Sequence, residues 1–98
     1  MNLEFDSEDR SELLGFEEEH QEYVLSRLKE LRSGPTSHED SGLIQVGGRN
    51  LFKYVMKEGS RGGRDFRAVY DVEQDSIKIF AIFHRDEGYD KDEIEDRL

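Results

Sequence analysis

The sequence predicts an α+β domain in which two N-terminal helices pack on one face of a small antiparallel sheet, with a short N-terminal edge strand and an acidic C-terminal tail. Three observations lead there. Apolar residues recur at three- and four-residue spacing over 16–32, FEEEHQEYVLSRLKELR. The period then changes to two in the segments starting at Leu51, Phe66 and Ile77. Clusters of Gly, Ser, Asp and Glu separate these segments, as turns require. The 98 residues form one domain, 1–98, because a chain of this length holds one modest core. Hydrophobic content is only 34% against 39% charged, but six Phe, four Tyr and the periodicity argue for packing over disorder.

The elements follow in order. MNLEFD is an edge strand, and SEDRSELL a brief helix capped by Ser7 or Asp6 and interrupted at Gly15. The helix Phe16 to Arg32 gathers Phe16, His20, Tyr23, Val24, Leu28 and Leu31 on one face. Glu17, Glu18 and Glu19 open it and Arg27, Lys29 and Arg32 close it, the polarity its dipole favours. Ser33 to Pro35 stop it. TSHEDSG reads as a polar loop with His38 in solvent, and Leu43 to Val46 as a short apolar stretch ending at Gly47 and Gly48. LFKYVMK then sends Phe52, Tyr54 and Met56 to one face and Leu51, Lys53, Val55 and Lys57 to the other. EGSRGGRD is a hairpin tip. FRAVYDV places Phe66, Ala68, Tyr70 and Val72 opposite Arg67, Val69 and Asp71. EQDS is a tight turn, and IKIFAIFH is apolar on both faces, as a central strand is. The 16–32 helix is expected to pack on the row Phe66, Ala68 and Tyr70. The acidic end, which includes Arg97, forms a frayed helix from Asp90.

Composition excludes several function classes. No apolar run approaches the roughly 20 residues of a membrane span. MNLEFDSEDR has neither the basic nor the apolar region of a signal peptide, so a cytoplasmic protein with no membrane partner is expected. The absence of cysteine removes disulfides and thiolate metal sites, and the acid pairs show no metal-ligand spacing. Twenty-four acids against 14 bases give a formal charge of −10. A halophilic source, where molar salt screens such a surface, and an ordinary acidic cytosolic protein both account for this. Against that background, residues 49–67 hold six bases and two acids, a local +4.

The order of elements, together with FRAVY at Phe66 to Tyr70, HRDEGY at His84 to Tyr89 and the helix end LKELRSGP, resembles the RelE/ParE toxin superfamily of type II toxin–antitoxin systems. The resemblance implies a toxin with a cognate antitoxin protein as partner. It also implies one of two actions: ribosome-dependent mRNA endonuclease activity in RelE-like members, or gyrase poisoning in ParE-like ones. The runner-up is therefore a non-enzymatic toxin or interaction module of the same fold, or an inactive homologue. Carried over by position, the RelE-type catalytic set falls on Lys53, Arg67, Arg85 and Tyr89. The sequence departs from the pattern at Val55, where a second lysine is common, and at Asp86 and Glu87, which follow Arg85 where bases are common.

Such cleavage needs no cofactor and no metal: the 2′-OH attacks its own 3′ phosphate, and the site moves protons and neutralises the phosphorane. Lys53 and Arg67 share the less apolar strand face, and the guanidinium forks of Arg67 and Arg85 suit a phosphate. Tyr89 stacks on a base or takes a proton, and His84 is of the side-chain type suited to proton transfer. Arg49, Lys57, Arg61 and Arg64 are candidate contacts to the RNA backbone, with ribosome and mRNA as partners. Each has a plainer reading: solvated strand lysines, Arg67 paired with Asp71 or another acid, His84 as a structural histidine, Tyr89 as packing. The basic island also suits an acidic antitoxin helix.

Overall fold

The computed structural model describes residues 2–58, 64–85 and 91–98. Strand β1 (Asn2–Phe5) leads to helices α1 (Ser7–Leu14) and α2 (Glu18–Glu30), the latter followed by a 3-10 turn at Leu31–Ser33. Strands β2 (Ser41–Val46), β3 (Arg49–Glu58), β4 (Arg64–Glu73) and β5 (Ser76–His84) come next, and helix α3 (Lys91–Asp96) last. The sheet order is β1-β5-β4-β3-β2. Strands β2 to β5 form an antiparallel meander, whereas β1 pairs in parallel with β5 from Asn2 opposite Ser76 to Phe5 opposite Ile79. The expected edge strand is present, and its pairing makes the five-stranded sheet mixed.

Helices α1 and α2 cover one sheet face. Asp6 caps α1 by accepting the amide of Glu8 at 2.9 Å. Val24 and Leu28 of α2 and Leu31 beyond it are fully buried with Tyr54, Met56, Phe66, Ala68, Tyr70, Ile77, Ile79 and Ile82. The Phe16, His20 and Tyr23 rings all stand against Phe66, with centroids 4.8, 5.3 and 6.5 Å away. The expected docking of this helix on the Phe66, Ala68 and Tyr70 row is what the structure shows.

Three segments differ from expectation. Ser41–Val46 is a full strand, joined to β3 by a two-residue turn at Gly47 and Gly48, whose φ values of 58° and 76° lie in the left-handed region that glycine adopts without strain. His38 is not in solvent: its ring meets Tyr54 edge-on at 5.0 Å and its Nδ1 accepts the Asp40 amide. The loop holding it is tied down at Pro35, whose carbonyl satisfies the buried Tyr70 hydroxyl, and by the packing of His38 on Tyr54. Tyr54 donates to the Arg27 carbonyl at 3.0 Å, and Tyr70 donates to the Pro35 carbonyl at 2.6 Å while accepting from Ser41. The acidic tail, finally, is docked rather than loose. Ile94 of α3 is buried against Val46, Leu51, Val69, Phe80, Ala81 and Phe83, on the sheet face opposite α1 and α2. A bulge between Val69 and Tyr70 turns both Phe80 and Ala81 to that face, so β5 is apolar on both sides. No helix among the described residues is long and apolar enough to cross a membrane.

Two measurements test this core. Leu28→Ala should cost about 2 to 5 kcal/mol in urea denaturation, because it empties a fully enclosed site. Burial raises the Tyr54 and Tyr70 phenols above their usual 10.0, although Arg27 and Ser41 respectively pull the other way. A raised pKa means the folded state favours the protonated form. That stability is complete below pH 10 and is lost as pH rises through the higher folded values. Denaturant midpoints should therefore be flat from neutrality to about pH 9 and fall above 10; Tyr70→Phe should flatten the alkaline limb.

Candidate nucleic-acid interface

The second sheet face has two halves. The apolar half lies under α3. The other half runs toward the far end of β3 and the start of β4, where the register sets Lys53 opposite Val69, Val55 opposite Arg67 and Lys57 opposite Asp65. Directly paired residues project from the same side of an antiparallel ladder, so these six form one surface. Arg67 faces Phe83 on β5, which brings Arg85, just beyond that strand, alongside Asp65. Lys53, Lys57, Arg67 and Arg85 thus lie on the same side of the sheet, with Arg67 and Arg85 meeting at Asp65, and Val55 fills the position between the lysines.

Asp65 sits at the centre of the cluster. Its side chain is 5% exposed, with Oδ1 3.1 Å from Nη1 of Arg67 and Oδ2 3.6 Å from Nη1 of Arg85. Arg67 is 20% exposed and Arg85 65%. Neither lysine pairs with an acid among the described residues. The plainer reading of Arg67, an ion pair with a neighbouring acid, therefore holds together with its place in the cluster, and the acid is Asp65 rather than Asp71.

Other candidates lie elsewhere. His84 projects to the helix-covered face, where its ring meets Phe66 edge-on at 5.1 Å; the alternation along β5 puts the sheet between it and Arg67. It does not join the cation cluster. Arg49 is on the correct face but at the other end of β3, 2.8 Å from Asp71, 3.5 Å from Glu73 and over the Phe80 ring at 5.7 Å. These carboxylates neutralise it, so it belongs to the sheet's own electrostatics. Arg61 and Tyr89 lie outside the described residues, and of Arg64 only its backbone place in β4 is described.

Arg27 and Arg97, two arginines outside the basic island, are held within the fold. Arg27 bonds Tyr23, Glu30 and Asp40 beneath the loop that carries His38. Arg97 is not solvated in the tail: its side chain is 8% exposed and meets Glu8, Glu12 and Glu93 at 2.6, 2.7 and 2.9 Å. Burial opposes its charge, but the Glu12 hydrogen bond and the three carboxylates outweigh burial and raise its pKa. The same guanidinium donates to the Phe80 carbonyl at 2.9 Å, while Glu12 accepts the Ile82 amide. Strand β1 ends opposite Ile79, so this pair satisfies the stretch of β5 edge that β1 leaves open. Spacing in sequence could not reveal a contact between residues 12 and 97. It also passed over Glu17, Glu19 and His20, whose ligand atoms lie within 4.8 Å of one another at the start of α2, a grouping common among exposed acids.

With this geometry in hand, the fold can be matched. No protein-family model and no curated protein matches the sequence. Among solved structures, an arginine double mutant of the E. coli toxin RelE in the free state superposes with a TM-score of 0.69 at 17% identity, covering 99% of this chain and 96% of that one. The chain has a RelE-like fold. The intact E. coli RelBE toxin–antitoxin complex also matches, with a TM-score of 0.60 at 20% identity over 85% of this chain and 94% of that one. The RelE-like fold thus supplies the cation-bearing sheet face, and the identity of the side chains on it is this chain's own.

Arg97→Ala should destabilise the protein by about 2 to 3 kcal/mol, because it strands Glu12 and the open edge of β5. Thermal and urea melts read this directly; an unchanged midpoint would place the guanidinium contacts among those worth nothing.

Proposed function

We propose that this protein is the toxin of a type II toxin–antitoxin pair, acting in the cytoplasm as a metal-independent, ribosome-dependent mRNA endonuclease with a cognate antitoxin as its partner. The observation that carries the reading is the placement of Lys53, Lys57, Arg67 and Arg85 on one sheet face of a RelE-like fold, with Arg67 and Arg85 brought together at Asp65. Attack of a 2′-OH on its phosphate builds negative charge on the phosphorane, and preorganised cations aimed at that charge lower the barrier. Arg67 and Arg85 suit the scissile phosphate, and Lys53 lies diagonally from Arg67 at a distance that spans a nucleotide's phosphate and sugar. A protein of charge −10 is repelled by free RNA at low salt. Effective cleavage then depends on the ribosome holding the mRNA in place, where positioning supplies much of the rate.

One observation favours a second reading, a toxin of this fold that does not cut RNA. Val55 stands directly opposite Arg67, and the buried acid Asp65 draws on two of the four cations. An in vitro translation extract of matched ionic strength, with and without the protein, separates the two by primer extension on the mRNA. The nuclease reading expects ribosome-dependent cuts, little cleavage of naked RNA, and a loss of roughly 100- to 1,000-fold in rate for Arg67→Ala or Arg85→Ala. Arg10→Ala, on the exposed side of α1, should keep full activity. Efficient cutting of naked RNA, or full activity in both arginine variants, would sink the reading.

A further inference from the structure

Asp65 is the most buried charged residue among those described, at 4% exposed, and it lies in the middle of the cation cluster. Arg85 is 65% exposed and Arg67 20%, whereas the carboxylate, 5% exposed, gives up its water to sit between them. Nor are the contacts well made. Asp65 Oδ1 and Arg67 Nη1 are both buried and 3.1 Å apart, yet neither has an aligned hydrogen bond. The other oxygen stands 3.6 Å from Arg85, and Lys57 faces Asp65 across the ladder. Two guanidiniums therefore share one small anion without an aligned hydrogen bond at Arg67 Nη1, and Lys57 stands across the ladder with no ion pair to it among the described residues.

We propose that Asp65 is a positioning residue that holds Arg67 and Arg85 at the spacing of a single anion and yields them to an RNA phosphate. The inference rests on the RNA-directed reading above and deepens it. Phosphate is the fitting replacement because its oxygens offer each guanidinium an aligned, charge-assisted bond that the carboxylate does not. The exchange keeps the arginines ordered before RNA arrives and weakens ground-state binding by the repulsion between Asp65 and the incoming phosphate. Removing the charge while keeping the shape should therefore move affinity and turnover in opposite directions.

Asp65→Asn and wild type are compared in binding a single-stranded 2′-O-methyl oligonucleotide, which cannot be cut, by fluorescence anisotropy across a KCl series. The variant should bind about fourfold tighter at low salt, the effect of deleting one repelling charge near 5 Å in a water-like dielectric. Its log K against log salt should be steeper, by up to about 0.7 for one further phosphate contact. On ribosomes both KM and kcat should fall, whereas loss of a merely structural residue would weaken binding. Unchanged or weaker oligonucleotide binding overturns the proposal, and so does turnover that rises along with affinity. If the variant does not fold, the 13C carboxyl resonance of Asp65 in wild type decides: it should shift on saturation with the oligonucleotide, and a static resonance overturns the exchange. Tighter binding by a variant whose parent cuts no mRNA would leave this phosphate site standing and remove the nuclease.

Discussion

Burying Phe66, Ala68 and Tyr70 beneath α2 forces Asp65, Arg67 and Val69 to the other side of the sheet, because successive side chains of a strand alternate. The same constraint runs through β3, where Phe52, Tyr54 and Met56 go to the helices and Lys53, Val55 and Lys57 away from them. The placement of the cations thus follows from the packing of the core. A shift of β3 by one residue against β4 would bury Lys53 and Lys57, so the apolar row holds the charged row in place. The bulge at Phe80 and Ala81 adds a second division: it builds an apolar floor on the open face for α3 to cover, and the charged half remains uncovered.

The basic island is not one electrostatic object. Arg49 is neutralised by Asp71 and Glu73, Arg67 and Arg85 share Asp65, and Lys53 and Lys57 have no acid partner among the described residues. Arginines outside the island have the opposite role. Arg27 and Arg97 gather glutamates and aspartates around themselves and join distant parts of the chain. A surplus of acids is useful here, since each enclosed guanidinium draws on more than one carboxylate.

Much of this was legible in the sequence wherever a period could be counted. The helix carrying Val24 and Leu28 and the faces of β3 and β4 follow from local spacing, and cross-strand pairing turns shared parity into a shared surface, which joins Lys53 to Arg67, while Arg85 enters through the family resemblance alone. His84 joins the group in the sequence as a side chain suited to proton transfer, although one step along a strand reverses the face. Strand β2 was read as a short apolar stretch because Ser41, Gly42 and Gln45 weaken its pattern, yet Gly47 and Gly48 between two apolar runs were a hairpin signal. Asp65 and Arg97 were opaque for another reason: their partners are set by register and by docking of the two chain ends, and neither has a local signature.

The parallel pairing of β1 with β5 also governs how the chain reaches its native state. Asn2 meets Ser76, whereas the β2–β3 and β4–β5 turns close between near neighbours. Closing the longer loop costs more entropy and waits for β5 to be built, so the meander forms a template and the amino-terminal strand completes it. Until then β5 presents an apolar, unpaired edge, along which Glu12 and Arg97 have no backbone to hold. In the finished protein that edge is satisfied by one short strand and one ion cluster. Local opening there should therefore expose the β5 amides to hydrogen exchange before those of β4, which is paired on both sides.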